Sequence, residues 1–287
     1  MNFKKLALAA AVAVAPMSAL ALEPMQDDAL SAVTGQDGIT IGLTTPSLTL
    51  DAVVHDNDGL AGGGNGITGG EAGAIVIDNL VLNTDGNEIT AKIDADGNAG
   101  APILNVAVTI PSGTVISTGD LYVAGSLGMG ATTGTDTLAT SIENRSSTAI
   151  LDSMDITLGQ VNMNIQLGNE VQTIAGFTDT QMIAMDTTIT GGITISNFSL
   201  NDATATTGGS LSVGSIVIDG NNGGMDVVAG VNLDSTDGVV ISVGQLGTAT
   251  GLSVQMTDVA LGTGTSIGDV EILGLNLNGT QIAVRGH

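Results

Sequence analysis

The sequence predicts an all-β protein: a β-solenoid-like stack of short strands with one short N-terminal helix, the alternative being an elongated β-sandwich. Three observations predict it. From Ile39 onward, apolar residues alternate with polar ones, as in Ile39-Thr40-Ile41-Gly42-Leu43, and a period of two marks half-buried strands. Clusters of Asn, Asp and Gly punctuate these runs, such as Thr84-Asp85-Gly86-Asn87 and Asp219-Gly220-Asn221-Asn222-Gly223-Gly224, which is turn chemistry. An eight-residue pattern also recurs, apolar-x-apolar-x-x-apolar-x-apolar.

The pattern runs from Ile75 to Leu82, Ile156 to Met163, Ile193 to Leu200, Leu211 to Ile218, Val254 to Leu261 and Val270 to Leu277. Strict alternation would turn its second half to the opposite face, so the two-residue step must re-aim the chain. A corner or bulge with Asn, Gly or Ser does that. On this reading Ile195 and Val213 point inward and Thr194 outward. The copies at 193 and 211 lie 18 residues apart, a spacing that suits coils burying their faces on neighbouring coils.

Residues 1–21 read as a signal peptide. Lys4 and Lys5 precede an apolar run from Leu6 to Met17, and Ala19-Leu20-Ala21 supplies a cleavage site. The run is short for a membrane span, and no later stretch is long and apolar enough to be one. Mass spectrometry of the protein recovered from cells is expected to find Leu22 first; an intact Met1 would contradict export. The predicted route passes through the periplasm to the cell surface, a fimbrium or the medium. Residues 22–38 form an N-terminal helical motif. Asp27 and Asp28 precede Ala29, Leu30 and Val33, acids suit a helix start, and Gly35 ends it, giving a helix over Met25–Val33. Residues 39–287 form one Gly/Asp/Thr-rich β-repeat domain. Only Ala124–Ala149 loses the pattern, and it reads as a long loop or irregular coil.

Removal of the leader leaves Lys92, Arg145 and Arg285 against 29 acidic residues, a formal charge of −26. Phosphate binding requires Lys and Arg, so nucleic acid is not a predicted partner. Cys and Trp are absent and the chain holds one Tyr. Disulfides therefore cannot staple it, and aromatic sugar platforms, hot spots and membrane-barrel girdles lack their residues.

No catalytic constellation emerges, and an enzyme is not predicted. A Ser-His-Asp triad would need His55, which sits in the turn-like run Val54-His55-Asp56-Asn57-Asp58-Gly59. Gly64-Asn65-Gly66-Ile67-Thr68-Gly69 matches a dinucleotide loop, but no strand feeds it and no helix follows. Calcium is the one cofactor the residues suggest. Asp56 with Asp58, and Asp94 with Asp96, place carboxylates two residues apart in turn-like, Gly-containing runs, as in pieces of calcium loops. The plainer reading is exposed turn aspartates that keep the protein soluble. Thr-x-Thr pairs such as Thr188/Thr190 and Thr248/Thr250 are too irregular for an ice-binding array.

The run Leu22-Glu23-Pro24-Met25-Gln26-Asp27-Asp28-Ala29-Leu30-Ser31-Ala32-Val33-Thr34-Gly35-Gln36-Asp37-Gly38-Ile39 resembles the start of Fil-type pilus-system surface proteins of Gram-negative γ-proteobacteria. In those, a signal peptide and this motif precede a Gly-, Asp- and Thr-rich β-region. The resemblance implies a cell-surface or fimbrial role and no reaction. Chaperone–usher pilins are a different class, since this chain lacks their disulfide and C-terminal aromatic. The expected function is therefore an exported structural or adhesive protein, part of a pilus-like fibre. Its expected partners are other fibre or surface proteins, or further copies of itself. A calcium-stabilised extracellular binding module is the alternative. A polysaccharide-acting β-helix enzyme and an ice-binding protein rank below both.

Overall fold

The computed structural model describes residues 38–59, 70–97, 102–129, 137–168, 181–202, 208–220 and 223–285. The chain divides into two compact units, Met1–Ile39 and Thr40–His287. The leader and the helix predicted over Met25–Val33 lie outside the described residues.

The described chain is almost entirely strand. In order it forms β1 (Ile39–Thr44), β2 (Ser47–Asp56), β3 (Gly73–Asn83), β4 (Glu88–Asp96), β5 (Ile103–Ile110), β6 (Val115–Ser117) and β7 (Asp120–Ser126). A one-turn helix α1 (Leu138–Ser141) and β8 (Ile142–Glu143) follow. Then come β9 (Asp155–Gly168), β10 (Ile183–Asn201), β11 (Ser210–Asp219), β12 (Gly224–Asp234), β13 (Gly238–Gly247), β14 (Leu252–Gly262), β15 (Gly268–Leu275) and β16 (Gln281–Val284). The all-β class is as expected. Ala124–Ala149 is not simply a loop: it carries the end of β7, then α1 and β8. Nor are all strands short, since β9 and β10 run 14 and 19 residues.

The strands join in one large sheet with antiparallel ladders. It forks at its two longest members. Val161–Gly168 of β9 pairs β5, and Ile183–Thr190 of β10 pairs β12. Asp155–Thr157 of β9 pairs β6, and the second half of β10 pairs β11. Each long strand thus serves two arms. The fork lies where Gly159 opposes Gly191 and Gly192, two residues against one. Glycine is required there. A Cβ at Gly159 would stand 2.0 Å from the Thr190 carbonyl oxygen. Gly192 has φ +68° and would meet the Ile218 carbonyl at 2.5 Å.

The main core fills this fork. Val161, Ile189 and Met225 are buried together, with Ile110, Leu158, Met163, Ile193, Ile218, Val227 and Leu246 packed around them. Burial of these apolar side chains is the dominant favourable term available here. A smaller pair, Ala184 and Val228, lies further along the β10/β12 arm.

The recurring pattern organises the other arm. Five copies lie side by side as β9, β10, β11, β14 and β15, and the sixth is β3. Their apolar positions match across strands: Leu158, Ile193, Ile218, Val254 and Ile272 form one row, and Ile156, Ile195, Ile216, Met256 and Val270 another. The step re-aims the chain as the pattern requires. Its second residue is left-handed in four copies: Asn79 (φ 66°), Asn197 (φ 64°), Asp258 (φ 55°) and Gly274 (φ 68°). Asn, Asp and Gly tolerate that region best. Two of these steps are the same device. In β3, Asp78 and Asn79 oppose the single residue Asp51, whose Oδ1 accepts the Asn79 N–H at 2.9 Å. In β14, Thr257 and Asp258 oppose Asp269, whose Oδ1 accepts the Asp258 N–H at 3.0 Å. Such bulges bend and twist a strand.

The faces are less regular than the pattern implies. Val213 is buried, but Ile195 and Thr194 are both half-buried. In the first half of β3 the assignment inverts: Ala74 and Val76 are buried, whereas Ile75 is exposed.

Candidate assembly surface

The terminal strands leave apolar side chains uncovered. On β1, Ile39, Ile41 and Leu43 are exposed at alternate positions. All eight residues of β15 are exposed, including Val270, Ile272 and Leu275, and Leu277 just beyond it is exposed too. Leu273, on the other side of β15, is 67% exposed. Ile282 and Val284 do the same on β16. Exposed apolar side chains along a sheet edge make both an interaction surface and an aggregation hazard. β15 also carries charges of the kind that restrain indiscriminate pairing: Asp269 accepts from Asp258, and Glu271 accepts from Gln255 Nε2 at 2.9 Å.

Beside that edge lies a shallow groove of about 260 Å³ lined by Val217, Asp219, Ser253, Gln255, Glu271 and Leu273. Asp219 is engaged in its own turn, where its two carboxylate oxygens accept the Gly223 and Gly224 N–H groups at 3.1 and 3.2 Å.

The predicted calcium residues fall at two separate places. Asp56 ends β2 and its Oδ1 accepts the Gly59 N–H at 3.1 Å, the turn role of the plainer reading, with Asp58 in the same turn. Asp94 and Asp96 are not in a turn but on β4, opposite Asn105 and Ile103 of β5, and both are exposed. The alternation Ala91-Lys92-Ile93-Asp94-Ala95-Asp96 continues the strand to its end and aims the two carboxylates to one face. Calcium takes six to eight oxygens, and among the described residues no group of three or more His, Asp or Glu side chains could hold a metal ion. Calcium chloride and sodium chloride at equal ionic strength separate the two readings: equal gains in Tm, from screening of the acidic chain, would leave these as solvated aspartates. An extra gain with calcium that Asp94→Asn plus Asp96→Asn removes would show a site on β4.

His55 is likewise in β2 and not in a turn, and its Nδ1 lies 2.7 Å from Ser126 Oγ at the end of β7. Among the described residues no carboxylate is hydrogen-bonded to its ring, the third member that a triad requires.

Sequence reasoning missed a polar cluster between β3 and β7. Asp78 and Asp120 stand directly opposite each other. Arg145 pairs Asp78, and its guanidinium lies 4.4 Å from the Tyr122 ring centroid. The Tyr122 hydroxyl donates to Asp120 Oδ2 at 3.2 Å, and Asp120 Oδ1 accepts the Ser153 N–H at 2.8 Å. Burial, then the Asp120 charge, push the Tyr122 phenol above its ordinary pKa. The cluster joins a cation, an aromatic and two acids to hold residues 145–153 on the sheet. Its members, spread from Asp78 to Ser153, gave no signal for it in the sequence.

Residues 1–115 match a family of unknown function, DUF6160. The matched stretch runs from the predicted leader through β5 and includes Asp56, Asp58, Asp94, Asp96 and His55. It stops short of β9 to β16. No curated protein and no solved structure matches the chain.

Proposed function

We propose that this chain is an exported structural or adhesive protein of the cell surface, a component of a pilus-like fibre. The observation that carries the reading is the set of uncovered apolar side chains on β1, β15 and β16, each a strand that pairs a single neighbour in the sheet. A secreted protein gains little from such edges unless something pairs with them. The N-terminal signals support export. No helix among the described residues is long and apolar enough to cross a membrane. For the finer architecture we favour the stack over the sandwich, because copies of one pattern lie side by side in β9, β10, β11, β14 and β15. The partners are other fibre or surface proteins, with further copies of this chain among them.

Shearing intact cells tests the role. The chain is expected in the sheared surface fraction, and gold-labelled antibody is expected to decorate fibres. Retention of the whole pool inside the outer membrane, with unlabelled cells, would overturn it.

A further inference from the structure

The geometry points to a two-fold dimer in which β15 pairs antiparallel with β15 of a second copy, continuing the arm across the interface. This goes beyond the surface role and does not depend on it.

The argument starts from how the chain pairs its own copies of the pattern. Apolar positions one, three, six and eight form a palindrome, so two antiparallel copies match one to eight and three to six. β10 and β11 do this in full: Ile193 faces Ile218, Ile195 faces Ile216, Phe198 faces Val213 and Leu200 faces Leu211. β11 and β14 repeat it, with Leu211 facing Leu261, Ile216 facing Met256 and Ile218 facing Val254. A free edge of the pattern is therefore complementary to another antiparallel copy of the pattern.

Among the described residues, five of the six copies already have strand neighbours on both edges, and β15 pairs β14 alone. Within one chain no copy is left to cover it. A second chain offers one, its own β15. Antiparallel pairing of a strand with itself is self-complementary and closes as a dimer.

Charge selects the register. Matching β15 to itself as β14 is matched to β15, position one against position three, would set Glu271 directly against Glu271 of the other copy. Like charges directly opposite are destabilising. The whole-pattern register avoids this. Within β15 it sets Ile272 against Leu275 and Leu273 against Gly274 at the two-fold; just past the strand's end at Leu275 it brings Leu277 to Val270 and Asn276 to Glu271. Every apolar residue then meets an apolar residue or glycine, and Glu271 meets an amide, while Asp269 keeps its bond to the Asp258 N–H. The fit uses Val270, Ile272, Leu275 and Leu277, which are exposed in the single chain.

Both copies are strongly acidic, so association works against mutual repulsion and should tighten as salt screens it. Sedimentation equilibrium of the mature chain is expected to show a monomer–dimer equilibrium shifted towards dimer by added NaCl. Ile272→Lys, which puts a cation into an apolar row, is expected to leave a monomer with an unchanged circular dichroism spectrum. Val54→Lys, an exposed change on β2, is expected to leave the dimer intact. The register has its own readout, because the chain has no cysteine of its own. A Glu271→Cys plus Asn276→Cys protein should form a disulfide-linked dimer on mild oxidation. Five residues of extended strand span about 16 Å, too far for closure within one chain. A chain that stays monomeric at every concentration and salt would overturn the proposal. So would a dimer that survives Ile272→Lys while the two cysteines remain unlinked. Dimers without fibres would leave this inference standing and remove the fibre reading; fibres built from a chain that fails both tests would do the reverse.

Discussion

Val76→Asp is expected to unfold the β2/β3/β7 region or cost it on the order of 3 kcal/mol or more, the usual consequence of a buried charge without a partner. Val76 is fully buried, at 0% exposure, between Val53 of β2 and Tyr122 of β7. Its neighbour Ile75 is 47% exposed, and Ile75→Asp is expected to change stability by less than about 0.5 kcal/mol, as surface substitutions do. Urea unfolding of the two variants decides the matter. Equal midpoints would show that the faces of β3 are assigned wrongly. A larger loss for Ile75→Asp would restore the face read from the eight-residue pattern.

The second large effect is expected at the fork. Gly159→Ala is expected to destabilise by at least the 1–3 kcal/mol typical of overpacking. The reason is that the added methyl meets backbone: the Thr190 carbonyl oxygen at 2.0 Å and the Gly192 carbonyl oxygen at 3.1 Å. A backbone ladder cannot move aside as a flexible side chain can. Relief would require β9 and β10 to separate where both arms and the main core meet. Gly86→Ala offers a comparison. It sits in a tight turn at φ +75° with nothing near its missing Cβ, so it carries the left-handed cost alone, about 1–2 kcal/mol. Thermal unfolding should rank Gly159→Ala well below Gly86→Ala. The reverse ranking would mean that the two strands do not cross where Gly159 places them.

The local features of this fold were legible because they depend on a few adjacent residues. Asn79, Asn197, Asp258 and Gly274 announce their steps, since a two-residue break in an alternating run demands a special backbone and these residues supply it. The turns at Asp85-Gly86 and at Asp219 were equally readable. What the sequence hid was set by distant partners. Ile75-Val76-Ile77 is apolar throughout, so alternation cannot choose its face. That choice rests with β2 and β7, dozens of residues away in the chain. His55 and Asp94 look like turn residues because Asp, Asn and Gly follow them closely, and a strand end so marked resembles a loop. The fork was the least legible element. One strand pairing three neighbours, as β9 does with β5, β6 and both halves of β10, leaves no local trace except glycines at 159, 191 and 192.

The exposed edges follow the same logic. Ile272 looks like any inward residue of the pattern, because the pattern prepares it for a partner. Only the pairing order shows that β15 comes last. On the dimer proposal, the open last member of a run of self-matching strands is the part that assembles, and the acidic surface makes that association depend on screening.

Electron microscopy of the purified mature protein at physiological salt tests this account most directly. Ordered filaments or regular multimers are expected, and substitutions that charge the apolar edges at Ile41, Ile272 and Ile282 together are expected to disperse them into single folded chains. A wild-type preparation that remains single, well-separated particles at every concentration would contradict the account.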